Sequence, residues 1–314
     1  MPDYEVAIIG SGPAGLTAAI YAARALVKTL VIAGRVSGGQ LMLTSGVENF
    51  PGFSTGIQGP DLMAEMRKQA EHFGTEIVDE DVESIELKQN PKRIVFGNRS
   101  VTASAVIIAT GSSAKWLGMP SETKLRGRGV SSCATCDGYF FRNKAVAVVG
   151  GGDTAIEEAL FLTKYATEVV IIHRRDKLRA SKIMQKRAMS NPKIRFLWDS
   201  VVDNVLGQNK VESLQVRNLK TGEVSMLMCE GLFIAIGFQP NTKIFNGQIE
   251  LDEKGYIIVK NGTKTSAEGV FVAGDVHDYK YRQAITAAGE GCKAAIDALA
   301  YLDEQKEIAV IARE

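Results

Sequence analysis

The sequence predicts an α/β fold made of two three-layer units. Two observations carry that expectation. A short apolar strand, a glycine-rich turn, an alanine-rich helix and a second apolar strand follow one another from Tyr4, and the same succession returns from Ala145. The chain has 314 residues, enough for two cores of ordinary size.

Tyr4 to Ile9 (YEVAII) reads as the first strand, Gly10-Ser11-Gly12-Pro13-Ala14-Gly15 as the turn, and the helix runs to about Arg24 before a strand over Thr29 to Ala33. This is the order of a Rossmann half, and its glycines have separate tasks. Gly10 permits the tight turn, Gly12 lets the backbone approach a pyrophosphate, and Gly15 lets helix pack on strand. The pyrophosphate then sits on the positive N-terminus of the helix. In the second unit the strand is Ala145 to Val149, and the turn is Gly150-Gly151-Gly152-Asp153-Thr154-Ala155. Ile156 to Leu162 begins the helix and Val169 to Ile172 is the next strand. Ala155 stands for the third glycine and is still small enough for close packing. Two later strands, Val106 to Ala109 and Val270 to Ala273, run into Thr110-Gly111 and Gly274-Asp275. Ligands bind at such carboxyl ends in open α/β sheets. A last helix pattern follows Tyr281-Arg282-Gln283-Ala284 and runs through Leu302.

A net charge of +1 gives no reason to expect nucleic acid or an anionic membrane as a partner. Runs such as AVIIAT and FIAIGF are strand-length, well short of the ~20 residues that span a bilayer. The opening MPDYEVAIIG goes straight into a strand pattern and shows no signal peptide, which points to the cytoplasm.

The cysteines are Cys133, Cys136, Cys229 and Cys292. Cys133-Ala134-Thr135-Cys136 is half of a zinc site, but the other half is missing, because the remaining cysteines and His72, His173 and His277 have no ligand-like spacing. No metal is expected. A redox disulfide is expected instead, since thiolate exchange needs an attacking sulfur with its resolving partner within reach. Cys229 and Cys292 read as small buried apolar residues.

The end of each second strand selects the nucleotide: an acid binds a ribose 2′-hydroxyl, a basic cluster a 2′-phosphate. In the second unit the strand ends in His173-Arg174-Arg175, with Arg179 one turn on, so NADPH is preferred to NADH. In the first unit the strand ends Ala33-Gly34-Arg35, and the expected ribose carboxylate is absent.

Together these segments resemble the low-molecular-weight thioredoxin reductases. The matching pieces, in the family order, are GSGPAG, GGQL at 38–41 (after its leading glycine), VENFPG at 47–52, IIATG at 107–111, GRGVSSCATCDG at 127–138, VVGGGDTAIEEA at 148–159, HRRDKLRA at 173–180, AIGFQPNT at 235–242, GVFVAGD and YRQAITAAGEGC. The resemblance implies an FAD domain over 1–114 and 243–314 with an NADPH domain, 115–242, inserted into it. It implies that Gly39, Gln40, Asn49, Asp275, Arg282, Gln283 and Ala284 contact the flavin nucleotide. It further implies that Cys136 is the sulfur nearer the flavin, Cys133 the thiol that attacks thioredoxin, and Asp137 the acid/base. Rotation of the NADPH domain between half-reactions, with hinges near Lys115 to Gly118 and Gln239 to Lys243, and a homodimer also follow from the family. Arg126 and Arg128 offer charge to an acidic rim of thioredoxin.

Three other readings compete. The flavoprotein of an alkyl hydroperoxide reductase carries an extra N-terminal dithiol module, whereas this sequence opens on the first strand. A dithiol oxidase on the same scaffold has no need of intact GGGDTA and HRRDKLR. A nucleotide sensor without chemistry has no need of Cys133, Cys136 and Asp137.

Overall fold

The computed structural model describes residues 2–43 and 46–311. Among them the helices, in chain order, are α1 (Pro13–Arg24), α2 (Gly59–His72), α3 (Pro120–Leu125), α4 (Ala134–Asp137), α5 (Asp153–Leu162), α6 (Lys182–Met189) and α7 (Ala284–Ile311). The chain divides into two compact units, one of Met1–Ser113 with Gln239–Glu314 and the other of Ala114–Phe238.

The first unit is built on a seven-stranded sheet. Tyr4–Ile9 lies between Thr29–Ile32 and Arg99–Ile108, parallel to both, with Val6 opposite Thr29 and Ile9 opposite Ile108. Strand Arg99–Ile108 does two jobs. Its first half pairs antiparallel with Lys92–Phe96, and its second half pairs parallel with Val270–Val272. The strands are buried on both faces, as their nearly unbroken apolar runs require. Alternate residues enter two cores: Val6, Ile8, Val31 and Ile107 face the helices, while Ala7, Ile9, Leu30 and Ile108 face Phe96, Phe245 and Ile257. Helices α1 and α7 cross closely because Gly291 lies on the carbonyl of Ala14, where any Cβ would collide with it.

The second unit has a five-stranded, wholly parallel sheet in the order Val130–Ser131, Gly231–Ile234, Ala145–Val149, Glu168–Ile172, Ile194–Leu197. Helices α5 and α6 pack on one face through Ile156, Ala159, Leu162 and Ala188. A three-stranded antiparallel sheet (Ser200–Leu206, Ser213–Asn218, Val224–Met228) covers the other through Val202, Val205, Leu214 and Val216. The three layers are thus helix, parallel sheet and antiparallel sheet.

The predicted strands sit where expected, with two extensions. Strand Val106 to Ala109 is the end of the ten-residue strand Arg99–Ile108, whose polar start RSVTAS hid its extent. The last helix continues beyond Leu302 to Ile311.

Candidate functional site: two glycine turns and a disulfide

In the first unit the glycine turn joins Tyr4–Ile9 to α1. Gly10 has φ +109°, and a Cβ there would strike the carbonyl of Ala109. A Cβ on Gly15 would strike the carbonyl of Gly10, so both residues are glycine for packing. Gly12 differs, because a Cβ there meets nothing within 4 Å. It is the N-cap of α1, with no side-chain cap and Pro13 in the first turn. The free N–H groups of that turn therefore face open space, which fits a pyrophosphate. Ser11 is buried and fixes the turn: its hydroxyl donates to the Ala33 carbonyl (2.9 Å) and accepts from Gly38 N–H (2.9 Å).

The other residues expected at this site contact the turn or one another. Gly39 lies against Gly12, and Gln40 donates to the carbonyl of Ser112 (3.3 Å). A Cβ on Gly274 would come 3.0 Å from the Cβ of Ala14. Asn49 donates to Gln283 across 234 residues of sequence (3.2 Å), just ahead of Ala284, the first residue of α7. Thr110 donates to the Asn241 carbonyl, and Asn241 returns a bond to the carbonyl of Thr110 (2.9 Å each). Gly111 accepts from the Asn241 N–H (3.0 Å). Burial pushes the Asp275 carboxyl up to about 7, although Arg282 beside it works the other way. Arg282 is held at φ +47°.

Two residues of this site had no assigned role in the sequence. Asn241 is the next-to-last residue of AIGFQPNT, and Glu290 stands inside TAAGEGC. The Glu290 carboxylate accepts from Gly274 N–H (2.6 Å) and meets the His277 ring nitrogen Nε2 (2.9 Å). Burial works against its charge, but those bonds hold its carboxyl below the ordinary value. A lone acid in an Ala/Gly-rich helical stretch was the available signal. Asp81 is the carboxylate that reaches the end of strand Thr29–Ile32, where it pairs with Arg35 (3.3 Å) and accepts the Arg35 N–H (3.0 Å).

In the second unit the turn Gly150 to Ala155 joins Ala145–Val149 to α5. A Cβ on Gly150 would come 2.6 Å from the Cβ of Ala155, so the alanine fills the place of the third glycine and Gly150 makes room for it. Gly152 caps α5 with open space around it, matching Gly12. The Asp153 carboxylate accepts from Ser181 N–H (2.8 Å), which lowers its pKa and leaves the neighbouring Thr154 at the open turn. The Gly151 carbonyl accepts from the N–H groups of Arg179 (2.7 Å) and Ala180 (3.1 Å), pinning the arginine loop beside the turn. His173 is buried, and its ring lies where a Cβ on Gly151 would fall. Burial lowers its pKa, so the ring is a neutral support rather than a charge. Arg174, Arg175 and Arg179 are exposed.

Cys133 and Cys136 form a disulfide with Cα atoms 5.3 Å apart. Cys133 is the N-cap of α4, and its sulfur accepts from Cys136 N–H (3.2 Å) with the Thr135 hydroxyl 3.4 Å away. Burial raises the Asp137 pKa, opposed by a hydrogen bond from Ser131, so this carboxyl can hold a proton nearer neutrality than an ordinary aspartate. Gly138 packs on Phe161, Leu162 and Tyr165 at the end of α5, whereas the glycine turn stands at its start. Arg126 is turned inward, over the Trp116 ring (3.9 Å) and toward buried Glu122 (3.7 Å), which leaves Arg128 as the exposed charge of that pair. Cys229 is buried as expected, and burial pushes its thiol up to about 12, while Cys292 is only half-buried.

Two dinucleotide turns with a redox-active disulfide define a class of electron-transferring flavoproteins that act on disulfides. The chain belongs to the pyridine nucleotide-disulphide oxidoreductase family, whose model matches residues 4–291, and it therefore works with a flavin and a nicotinamide cofactor. Within that family it is similar to thioredoxin reductases. It is 54% identical to the thioredoxin reductase of Rickettsia conorii, over 96% of this chain and 98% of that one. It is 56% identical to the thioredoxin reductase of Streptomyces coelicolor, covering 96% of each. The solved thioredoxin reductase of Giardia duodenalis superposes with a TM-score of 0.91 at 46% identity, covering 96% of this chain and 99% of that one.

Proposed function

We infer that this chain is an NADPH-dependent thioredoxin reductase, moving an electron pair from NADPH by way of FAD and the Cys133–Cys136 disulfide to the disulfide of thioredoxin. The observation that carries the reading is that disulfide, set directly ahead of one dinucleotide strand in a chain that has a second dinucleotide turn. FAD, when bound, accepts a hydride from NADPH and yields the electron pair to a disulfide.

The remaining work falls to the chain's own residues. Gly12 and the first turn of α1 hold the FAD pyrophosphate, with Gly39, Gln40, Asn49, Thr110, Asp275 and Gln283 around it. Gly152 and the first turn of α5 hold the NADPH pyrophosphate, and Arg174, Arg175 and Arg179 face the 2′-phosphate. In the reduced form the Cys133 thiolate attacks one sulfur of the thioredoxin disulfide, making a mixed disulfide and releasing the other thioredoxin sulfur as a thiolate. Asp137 gives that thiolate its proton. Cys136 then attacks the Cys133 sulfur, which frees reduced thioredoxin and restores the Cys133–Cys136 bond.

FAD binding is assigned to 1–114 and 243–314, and NADPH binding to 115–242. The chain crosses between its two units in short segments, and a rotation there lets nicotinamide and disulfide reach one flavin in turn. By family likeness the protein works as a homodimer. The free thiols Cys229 and Cys292 suit a reducing compartment, the cytoplasm.

Cys133→Ser tests the reading. Flavin reduction by NADPH persists in the variant, while thioredoxin turnover falls by more than about three orders of magnitude. Retained thioredoxin turnover would remove the disulfide from the route.

A further inference from the structure

The first unit contains a second group of polar residues, remote from its glycine turn. Lys92 pairs with Ala103, five positions before the cofactor end of strand Arg99–Ile108, or about 17 Å along it. Tyr301 stands 17 residues beyond Ala284, roughly 25 Å down the axis of α7. The redox chemistry uses neither residue.

Lys92 is 2% exposed and Tyr301 7%. Among the described residues, neither the Lys92 ammonium nor the Tyr301 hydroxyl has a hydrogen-bond or ion-pair partner. The ammonium lies over the Tyr301 ring, 5.6 Å from its centroid. Both residues line a cavity of about 260 Å³ together with Leu87, Asn90, Ala267 and Glu268. Gly269 makes room for the two side chains. A Cβ there would come 2.7 Å from the Lys92 Nζ and 2.8 Å from the Tyr301 ring.

A buried ammonium that makes no ion pair, with exposed Glu268 as the charge acting on it, is costly, and a methionine would fill the same volume without that cost. Burial accordingly draws the amine's pKa down, with exposed Glu268 working the other way. A stability cost kept at a cavity wall indicates a ligand site.

We propose that Lys92 and Tyr301 bind the carboxylate of a small organic acid. The ammonium and the phenolic O–H each donate to one carboxylate oxygen, and Leu87 and Ala267 face the short hydrocarbon part. One buried cation matches one negative charge, and Glu268 at the mouth disfavours a phosphate dianion. The cavity lies just below the ~300–1,000 Å³ of sites for drug-sized ligands, so the acid has only a few carbons.

The test uses the flavin-loaded protein with 13C-labelled lysine side chains, titrated with sodium butyrate, sodium chloride and sodium phosphate at equal ionic strength. Butyrate should shift one lysine ε-carbon resonance saturably and raise Tm. Lys92→Met should delete that resonance and the butyrate effect while thioredoxin turnover stays at the wild-type level. Tyr301→Phe, which removes only the hydroxyl, should weaken butyrate about ten-fold and tests the site even if Lys92→Met fails to fold. Equal responses to butyrate and chloride, an undiminished butyrate effect in either variant, or tighter binding of phosphate than butyrate would each overturn the proposal.

Discussion

The two glycine turns are built alike but treat the arginines around them differently. In the first unit Arg35 is paired with Asp81, and Arg67 with Asp79 (2.6 Å) and Glu71 (2.9 Å). In the second unit Arg174, Arg175 and Arg179 are exposed and, among the described residues, make no ion pair. The first turn therefore has arginines already paired with carboxylates, and the second has arginines without such pairs. On the proposed assignment the turn itself meets only the pyrophosphate, which both nucleotides share. Selectivity would then rest on whether neighbouring carboxylates have already paired with the guanidinium groups.

The largest effect that could break this comparison comes from the turns themselves. In the first unit Gly15 abuts backbone, whereas in the second the equivalent Ala155 already carries a Cβ. Gly15→Ala should cost about 1–3 kcal/mol by overpacking, and the protein should purify with little flavin. Ala155→Gly should leave nicotinamide kinetics within about two-fold, its cost being at most about 1 kcal/mol of helix propensity. Absorbance at purification and NADPH kinetics check the pair. Equal damage from both would mean that the turns do not differ as described.

The arginines sharpen it next. Arg175→Ala should raise the KM for NADPH about 10–100-fold, the worth of one charge-assisted contact, and leave that for NADH nearly unchanged. Arg35→Ala, which breaks an exposed pair with Asp81, should change neither. Equal changes for both nucleotides in Arg175→Ala would place phosphate recognition elsewhere.

The smallest effect concerns acid groups. Asp275 titrates at about 7 when folded, against an ordinary aspartate value of 3.8. The folded state thus holds the proton more tightly than the unfolded one. Its contribution to stability is complete below about pH 4 and is lost as pH rises through about 7. Urea unfolding of flavin-stripped protein should show wild type losing stability across that window, and Asp275→Asn losing less. Asp153, lowered by Ser181 in the second unit, has the opposite sign and loses its contribution only as pH falls below its ordinary range.

What was legible in the sequence was local. Gly10, Gly12 and Gly15 could be given separate tasks because a tight turn, an open approach and a helix contact depend on residues a few positions apart. The antiparallel pairing of Lys92–Phe96 was not legible, since KRIVF opens on two charges and buries the first of them, so it shows no alternation in sequence. Nor was the pairing of Thr110 with Asn241, 131 residues apart, or the reach of Glu290 back to Gly274. Those contacts exist only once the sheet has closed. Asp81 reaches Arg35 for the same reason, since it follows the strand that pairs with Thr29–Ile32. Arg126 read as a docking charge because its stacking on Trp116, ten residues away, carries no sequence mark, although the i,i+4 spacing from Glu122 was a signal of the ion pair.

The account rests on one flavin and one disulfide, each holding an electron pair. Its most direct test is anaerobic titration of the flavin-loaded protein with NADPH, followed by oxidised thioredoxin. Uptake of about two electron pairs per chain, with full reoxidation by thioredoxin, is the predicted result. Uptake of one pair, with reoxidation by oxygen and not by thioredoxin, would contradict it.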